Sequence, residues 1–111
     1  MLNNINRLRK SNEIQRVFKF GKSIRSVNFS IRYAPNRLGA IRFAVVVGTK
    51  VDKRATRRNA LKRRLREVIR LELQTLPKGF DAVLTAHKLP NWPLKLADVQ
   101  TELSDLLKKI G

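Results

Sequence analysis

The chain has 111 residues, 42% of them hydrophobic, enough for one domain with a modest core and not for two. Its 25 Lys and Arg against 8 Asp and Glu leave a formal charge of +17, which favours a polyanionic partner. The absence of cysteine and the presence of a single histidine, His87, exclude a disulfide framework, a Cys/His zinc site and thiol catalysis.

Residues 1–10 are polar and basic, with Asn6, Arg7, Arg9 and Lys10, and read as an extended arm. Ser11 or Asn12 is the candidate cap of a short helix, with Gln15 in the capping-box relation to Asn12. Ile14, Val17 and Phe18 supply its apolar face, and Gly21 ends it. That face suits core packing, and it equally suits unstacked bases beside a basic surface. Val27, Phe29, Ile31 and Tyr33 then alternate with Asn28, Ser30 and Arg32, the pattern of a half-buried strand. A turn over residues 35–39 leads to a second strand from Ile41 to Val47. Pairing the two as a hairpin places Asn28, Ser30, Arg32 and Arg42 on one polar, cationic face.

From Lys50 to Arg70 the chain reads KVDKRATRRNALKRRLREVIR. Lys50, Lys53, Arg54, Arg57, Arg58, Lys62, Arg63, Arg64, Arg66 and Arg70 stand there against Asp52 and Glu67. Asp52 or Thr56 is the candidate cap of a long helix beginning near Ala55. Leu61, Leu65, Val68, Ile69, Glu72 and Leu73 recur at three- and four-residue steps, an inward stripe. At about 100° per residue, Asn59, Lys62, Arg63, Arg66 and Arg70 gather on the far side. A charge run is commonly a solvated face. Here few acids offset it, and cations in one row repel each other unless a polyanion neutralises them.

Leu76-Pro77-Lys78-Gly79 ends the helix, and FDAVLTA from Phe80 to Ala86 is nearly continuous in apolar character, as a central strand would be. Strand, helix and strand in succession imply a parallel βαβ unit. After a loop holding Trp92, which reads as a packing anchor, Leu96, Val99, Leu103, Leu106, Leu107 and Ile110 mark a last helix. His87, at a strand end, reads as structural, with a phosphate contact as the alternative. Asp98, Glu102 and Asp105 read as a solvated face, so no residue set is expected to catalyse phosphodiester hydrolysis. All fourteen arginines fall in the first seventy residues, whereas residues 71–111 hold five lysines and five acids. Binding therefore belongs to the first part, centred on residues 50–74, and residues 71–111 form a largely neutral scaffold. The expected fold is a single α+β domain over residues 1–111, a two-layer α/β sandwich with a small mixed sheet and the order α-β-β-α-β-α.

The stretch AVVVGTKVDKRATRRNALKRRLRE, Ala44 to Glu67, resembles the signature of the bacterial ribonuclease P protein component. In that family a strand leads through a Lys into an A-x-x-R-N-x-x-K-R-x-x-R helix, and Lys50, Arg54, Ala55, Arg58, Asn59, Lys62, Arg63 and Arg66 take the pattern's places. Ala60 stands where the family usually has a further Arg. Asn6-Arg7-Leu8, VFKFG at Val17 to Gly21 and FDAVLTAHK at Phe80 to Lys88 extend the resemblance along nearly the whole chain.

The resemblance implies a left-handed βαβ crossover, against the usual rule. It implies that Lys50, Lys53, Arg54, Arg57, Arg58, Asn59, Lys62, Arg63, Arg66 and Arg70 face the catalytic RNA of ribonuclease P. A cleft built by Arg7, Ile14, Phe18, Ser30, Arg32 and Arg42 would take the 5′ leader of precursor tRNA. Ile14 and Arg32 stand where relatives often carry aromatics. The protein would bind no cofactor of its own, with Mg2+ held in the RNA-containing holoenzyme, and would serve tRNA 5′-end processing without catalytic side chains. No stretch approaches ~18 apolar residues, and no signal-peptide core opens the chain, so a cytoplasmic location is expected. The rival readings are a ribosomal or other structural RNA-binding protein and a basic helix for membrane surfaces or DNA. A helix-turn-helix would need a helix, not a strand, just before the basic one.

Overall fold

The computed structural model describes residues 6–87 and 96–110; Trp92 and the loop around it lie outside them. The elements are α1 (Ser11–Phe20), β1 (Lys22–Arg25), β2 (Phe29–Pro35), β3 (Arg42–Val47), α2 (Ala55–Glu72), β4 (Phe80–Ala86) and α3 (Leu96–Leu107). The short edge strand β1 is an addition to the predicted order; its four residues, KSIR, are too few to show alternation.

β2 and β3 do not form the expected hairpin. The sheet order is β1-β2-β4-β3, with β4 antiparallel to β2 and parallel to β3. β4 buries side chains on both faces, Ala82, Leu84 and Ala86 on one and Val83 on the other, and a strand of that kind is stable only between two partners. The link from β2 to β3 therefore passes the start of β4. Asn36 holds it, donating its N–H to Gly79 O (2.6 Å) and its side-chain amide to Ala40 O (3.0 Å) and Asp81 Oδ1 (2.7 Å). Gly79 adopts φ +86°, a conformation that disfavours a side chain.

One sheet face, with Phe29, Ile31, Tyr33, Phe43, Ala82 and Leu84, packs against α2 and α3 and forms the main core. Leu61, Leu65, Val68 and Ile69 are the buried stripe of α2, as the spacing predicts. Val99, Leu103, Leu106, Leu107 and Ile110 fill the same core from the last helix and the turn beyond it. Tyr33 points into this core and meets Phe80 edge-on at 5.7 Å. The second face is covered in part by α1, where Val17 is fully buried with Ala34, Val83 and Leu8.

Neither predicted N-cap forms. α1 follows Lys10 and α2 follows Arg54, and neither has a side-chain cap. The arm is already committed before α1 begins, because Arg7 bridges to Phe43 and the Leu8 N–H bonds Phe43 O at 2.9 Å. That pairing fixes Lys10 in extended conformation and draws Ser11 into the helix. α1 ends at Gly21, whose backbone is extended, and only glycine fits there because a Cβ would run into the Val17 carbonyl and lie 2.9 Å from that of Tyr33.

Glu102 is not merely solvated. It accepts hydrogen bonds from the Ser26 hydroxyl, the Asn28 N–H (2.8 Å) and the Asn28 amide (2.8 Å), tying α3 to the β1–β2 turn. Burial pushes its pKa up, but these three bonds outweigh burial and hold it below the usual carboxylate value. A carboxylate depressed on folding stabilises above its unfolded pKa and loses that contribution as pH falls through the folded value. Glu102→Gln should therefore cost about 1–2 kcal/mol near neutral pH. The gap to the parent should close in urea titrations repeated at strongly acidic pH.

Candidate nucleic-acid interface

With the apolar stripe of α2 locked into the core, its opposite side faces outward. Lys50, Lys53, Arg54, Asn59, Arg63 and Arg70 are exposed, and Arg57, Arg58, Lys62 and Arg66 are half-buried. The first turn of α2 holds no acid, so the positive end of the helix dipole adds to Arg54, Arg57 and Arg58 rather than being offset.

These cations are not equivalent. Arg58 donates to the carbonyls of Asp52 (3.1 Å) and Lys53 (2.9 Å) and so ties the lead-in to the helix. Asp52 accepts the Arg54 N–H at 2.8 Å, short of the helix, and pairs loosely with Arg57 at 3.6 Å. Glu67 holds Arg70 through both carboxylate oxygens. Lys62 and Arg63 have no protein partner among the described residues, which leaves them to solvent or to a ligand.

The residues assigned to a cleft lie on the second sheet face, in three groups. Phe18, 44% exposed, stacks on the Arg32 guanidinium at 5.9 Å, and Arg32 also donates to Gly21 O at 3.4 Å. Ser30 lies on the same face as Arg32 and shares a 2.8 Å hydrogen bond with His87 Nε2. Arg7 and Ile14 lie across the sheet near β3, lining a groove of about 450 Å³ with Arg9, Ala44, Val46 and Arg66. Burial lowers the Arg66 pKa from its ordinary value, and the charges of Arg7 and Arg9 lower it further, the signature of guanidinium groups crowded together.

Arg42, the sixth residue assigned to the cleft, is bound bidentately to Asp81 (2.8 and 2.8 Å) and to Glu13 (2.7 Å). Asp81 first, and Glu13 after it, hold that guanidinium even more firmly in its charged form. Arg9, Thr85 and Val46 join these surfaces without having been singled out for them, and His87, read as structural with a phosphate contact as the alternative, lies beside Thr85 and Val46. Only the register of β4 between β2 and β3 brings Thr85 beside Ser30 and Val46.

The sequence model of the ribonuclease P family matches residues 2–111. The chain belongs to that family. A ribonuclease P protein component from Thermotoga maritima is 38% identical over 107 residues, spanning 94% of this chain and 91% of the relative. One from Azoarcus is 36% identical over 105 residues, spanning 95% and 83%. The solved structure of the ribonuclease P protein from Thermotoga maritima superposes with a TM-score of 0.87 at 35% identity, covering 95% of this chain and 97% of that one. That from Staphylococcus aureus gives 0.82 at 25% identity, covering 93% of each. Among the described residues no helix is long and apolar enough to cross a membrane.

The two kinds of cation on α2 separate by thermal melting. Arg58→Ala should lower stability by about 1 kcal/mol, because two loop carbonyls lose their donor. Lys62→Ala and Arg63→Ala should stay within about 0.5 kcal/mol of the parent.

Proposed function

We propose that α2 and its lead-in dock this chain on the catalytic RNA of ribonuclease P, while the α1 cleft receives the 5′ leader of precursor tRNA. As a family member the chain is a protein component of ribonuclease P and takes part in the maturation of tRNA 5′ ends. The observation that carries the docking is the outward row on α2, where Lys62 and Arg63 lack protein partners among the described residues and the first turn lacks an acid. Guanidinium and ammonium groups so placed bind phosphates and release counterions, which makes association salt-dependent. In the cleft, the exposed Phe18 ring backed by Arg32 offers a stacking surface beside a charge, which suits single-stranded RNA of any sequence.

Six of the protein's eight acidic side chains support a non-catalytic role. Glu13 and Asp81 bind Arg42, Asp52 and Glu67 bind arginines of α2, Glu72 accepts from Ser104 at 2.8 Å, and Glu102 holds the β1–β2 turn. Carboxylates spent on guanidinium and backbone groups are poorly placed to hold a metal pair for hydrolysis. In this reading the RNA subunit carries the chemistry with its own Mg2+. The protein screens repulsion between the two RNAs and so lowers the Mg2+ requirement. Such a protein works in the cytoplasm, where tRNA precursors are made.

Reconstituted cleavage at low Mg2+ tests this directly. RNA subunit plus protein should cleave precursor tRNA faster than RNA alone, and protein alone should not cleave. The double variant Lys62→Ala/Arg63→Ala should reduce the slope of log affinity for the RNA subunit against log salt by about two. An unchanged slope would remove the α2 row from the interface.

A further inference from the structure

Glu13, Arg42 and Asp81 come from α1, β3 and β4 and meet in one ion cluster on the second sheet face. Arg42 and Asp81 already neutralise each other through two parallel hydrogen bonds, and Asn36 adds a third to Asp81. Asp81 is 2% exposed and Arg42 half-buried, so this pair is part of the sheet. Glu13 is not needed to balance their charge. It is the one member that belongs to α1, and it reaches Arg42 at 2.7 Å.

The rest of the α1 contact is small. Val17 is its one fully buried residue, Ile14 packs at the margin, and Arg16 donates to Pro35 O at 3.2 Å. Phe18, the exposed ring assigned to the leader, lies five positions beyond Glu13, roughly 7.5 Å further along the helix axis. Arg32, on which that ring stacks, is held by the sheet. The placement of Phe18 over Arg32 therefore depends on both ends of α1: Arg32 ties the C-terminal end through Gly21 O, and Glu13 pins the N-terminal half. Direct contact with RNA is a poor role for Arg42, because its guanidinium is already engaged by two carboxylates.

We propose that Glu13 and Arg42 are positioning residues, whose ion pair clamps α1 to the sheet and holds the stacked Phe18–Arg32 surface in the arrangement that accepts a single-stranded leader. This rests on the assignment of the leader to that cleft. Loss of the clamp should weaken the preference for leader-bearing tRNA and leave docking on the catalytic RNA, a property of α2, unaffected.

The test uses full-length protein with a bacterial ribonuclease P RNA, precursor tRNA bearing a 5′ leader, and the same tRNA without it. Glu13 is a half-exposed helix residue, so Glu13→Gln should fold. Glu13→Gln should reduce the leader-bearing to leaderless affinity ratio by about three- to tenfold, with affinity for the RNA subunit within about twofold of the parent. Glu13→Asp, which keeps the charge on a shorter arm, should recover part of the ratio, and amide exchange in α1 should accelerate in Glu13→Gln. A ratio unchanged in Glu13→Gln overturns the proposal, and so does a parallel loss of RNA-subunit affinity. A parent protein with no leader preference would instead remove the cleft assignment itself, and the clamp with it.

Discussion

The insertion of β4 between β2 and β3 is the constraint that places everything else. A strand buried on both faces needs a partner on each edge, and β4 finds an antiparallel one in β2 and a parallel one in β3. Parallel pairing demands a crossover, and α2 supplies it. The crossover helix must turn Leu61, Leu65, Val68 and Ile69 toward the sheet, so the arginines and lysines between them have only the outer side left. The same pairing sets Arg42 opposite Asp81 and so makes the ion cluster that α1 joins through Glu13.

Electrostatics divides the molecule along similar lines. The few acids of the basic part act as local ties: Glu13 to Arg42, Asp52 to the lead-in of α2, Glu67 to Arg70. Cations in excess of those ties collect on the outer side of α2 and along the groove where Arg7, Arg9 and Arg66 crowd together. That groove is lined by Arg66 of α2 and Ile14 of α1, so it adjoins both surfaces. The neutral C-terminal part supplies apolar mass to the main core and, through Glu102, holds the β1–β2 turn.

The family signature and the basic helix were both legible in the chain itself, because residues 44–67 carry a motif and a period that depend only on local spacing. The buried stripes of α2 and α3 and the central, parallel character of β4 were legible for the same reason. The N-caps were misread because pairing of the arm with β3 shifts the start of α1, and because the Arg58 guanidinium and Asp52 organise the lead-in to α2 without capping it. Glu102 was misread as solvated, since its partners Ser26 and Asn28 lie more than seventy positions away.

Local order along the chain thus determined the helices, the main strands, the side of each that is apolar, and the concentration of cations in the first seventy residues. Which strand lies beside which was decided only in three dimensions, because alternation reports a face and says nothing of a neighbour. That decision breaks the proposed hairpin, yet Arg32 and Arg42 still share a face, with Val83 and Asp81 of β4 between them. It also separates basic residues that look alike in sequence. Lys62 and Arg63 remain open to a ligand, whereas Arg42 and Arg58 are held by oxygen atoms of the protein itself.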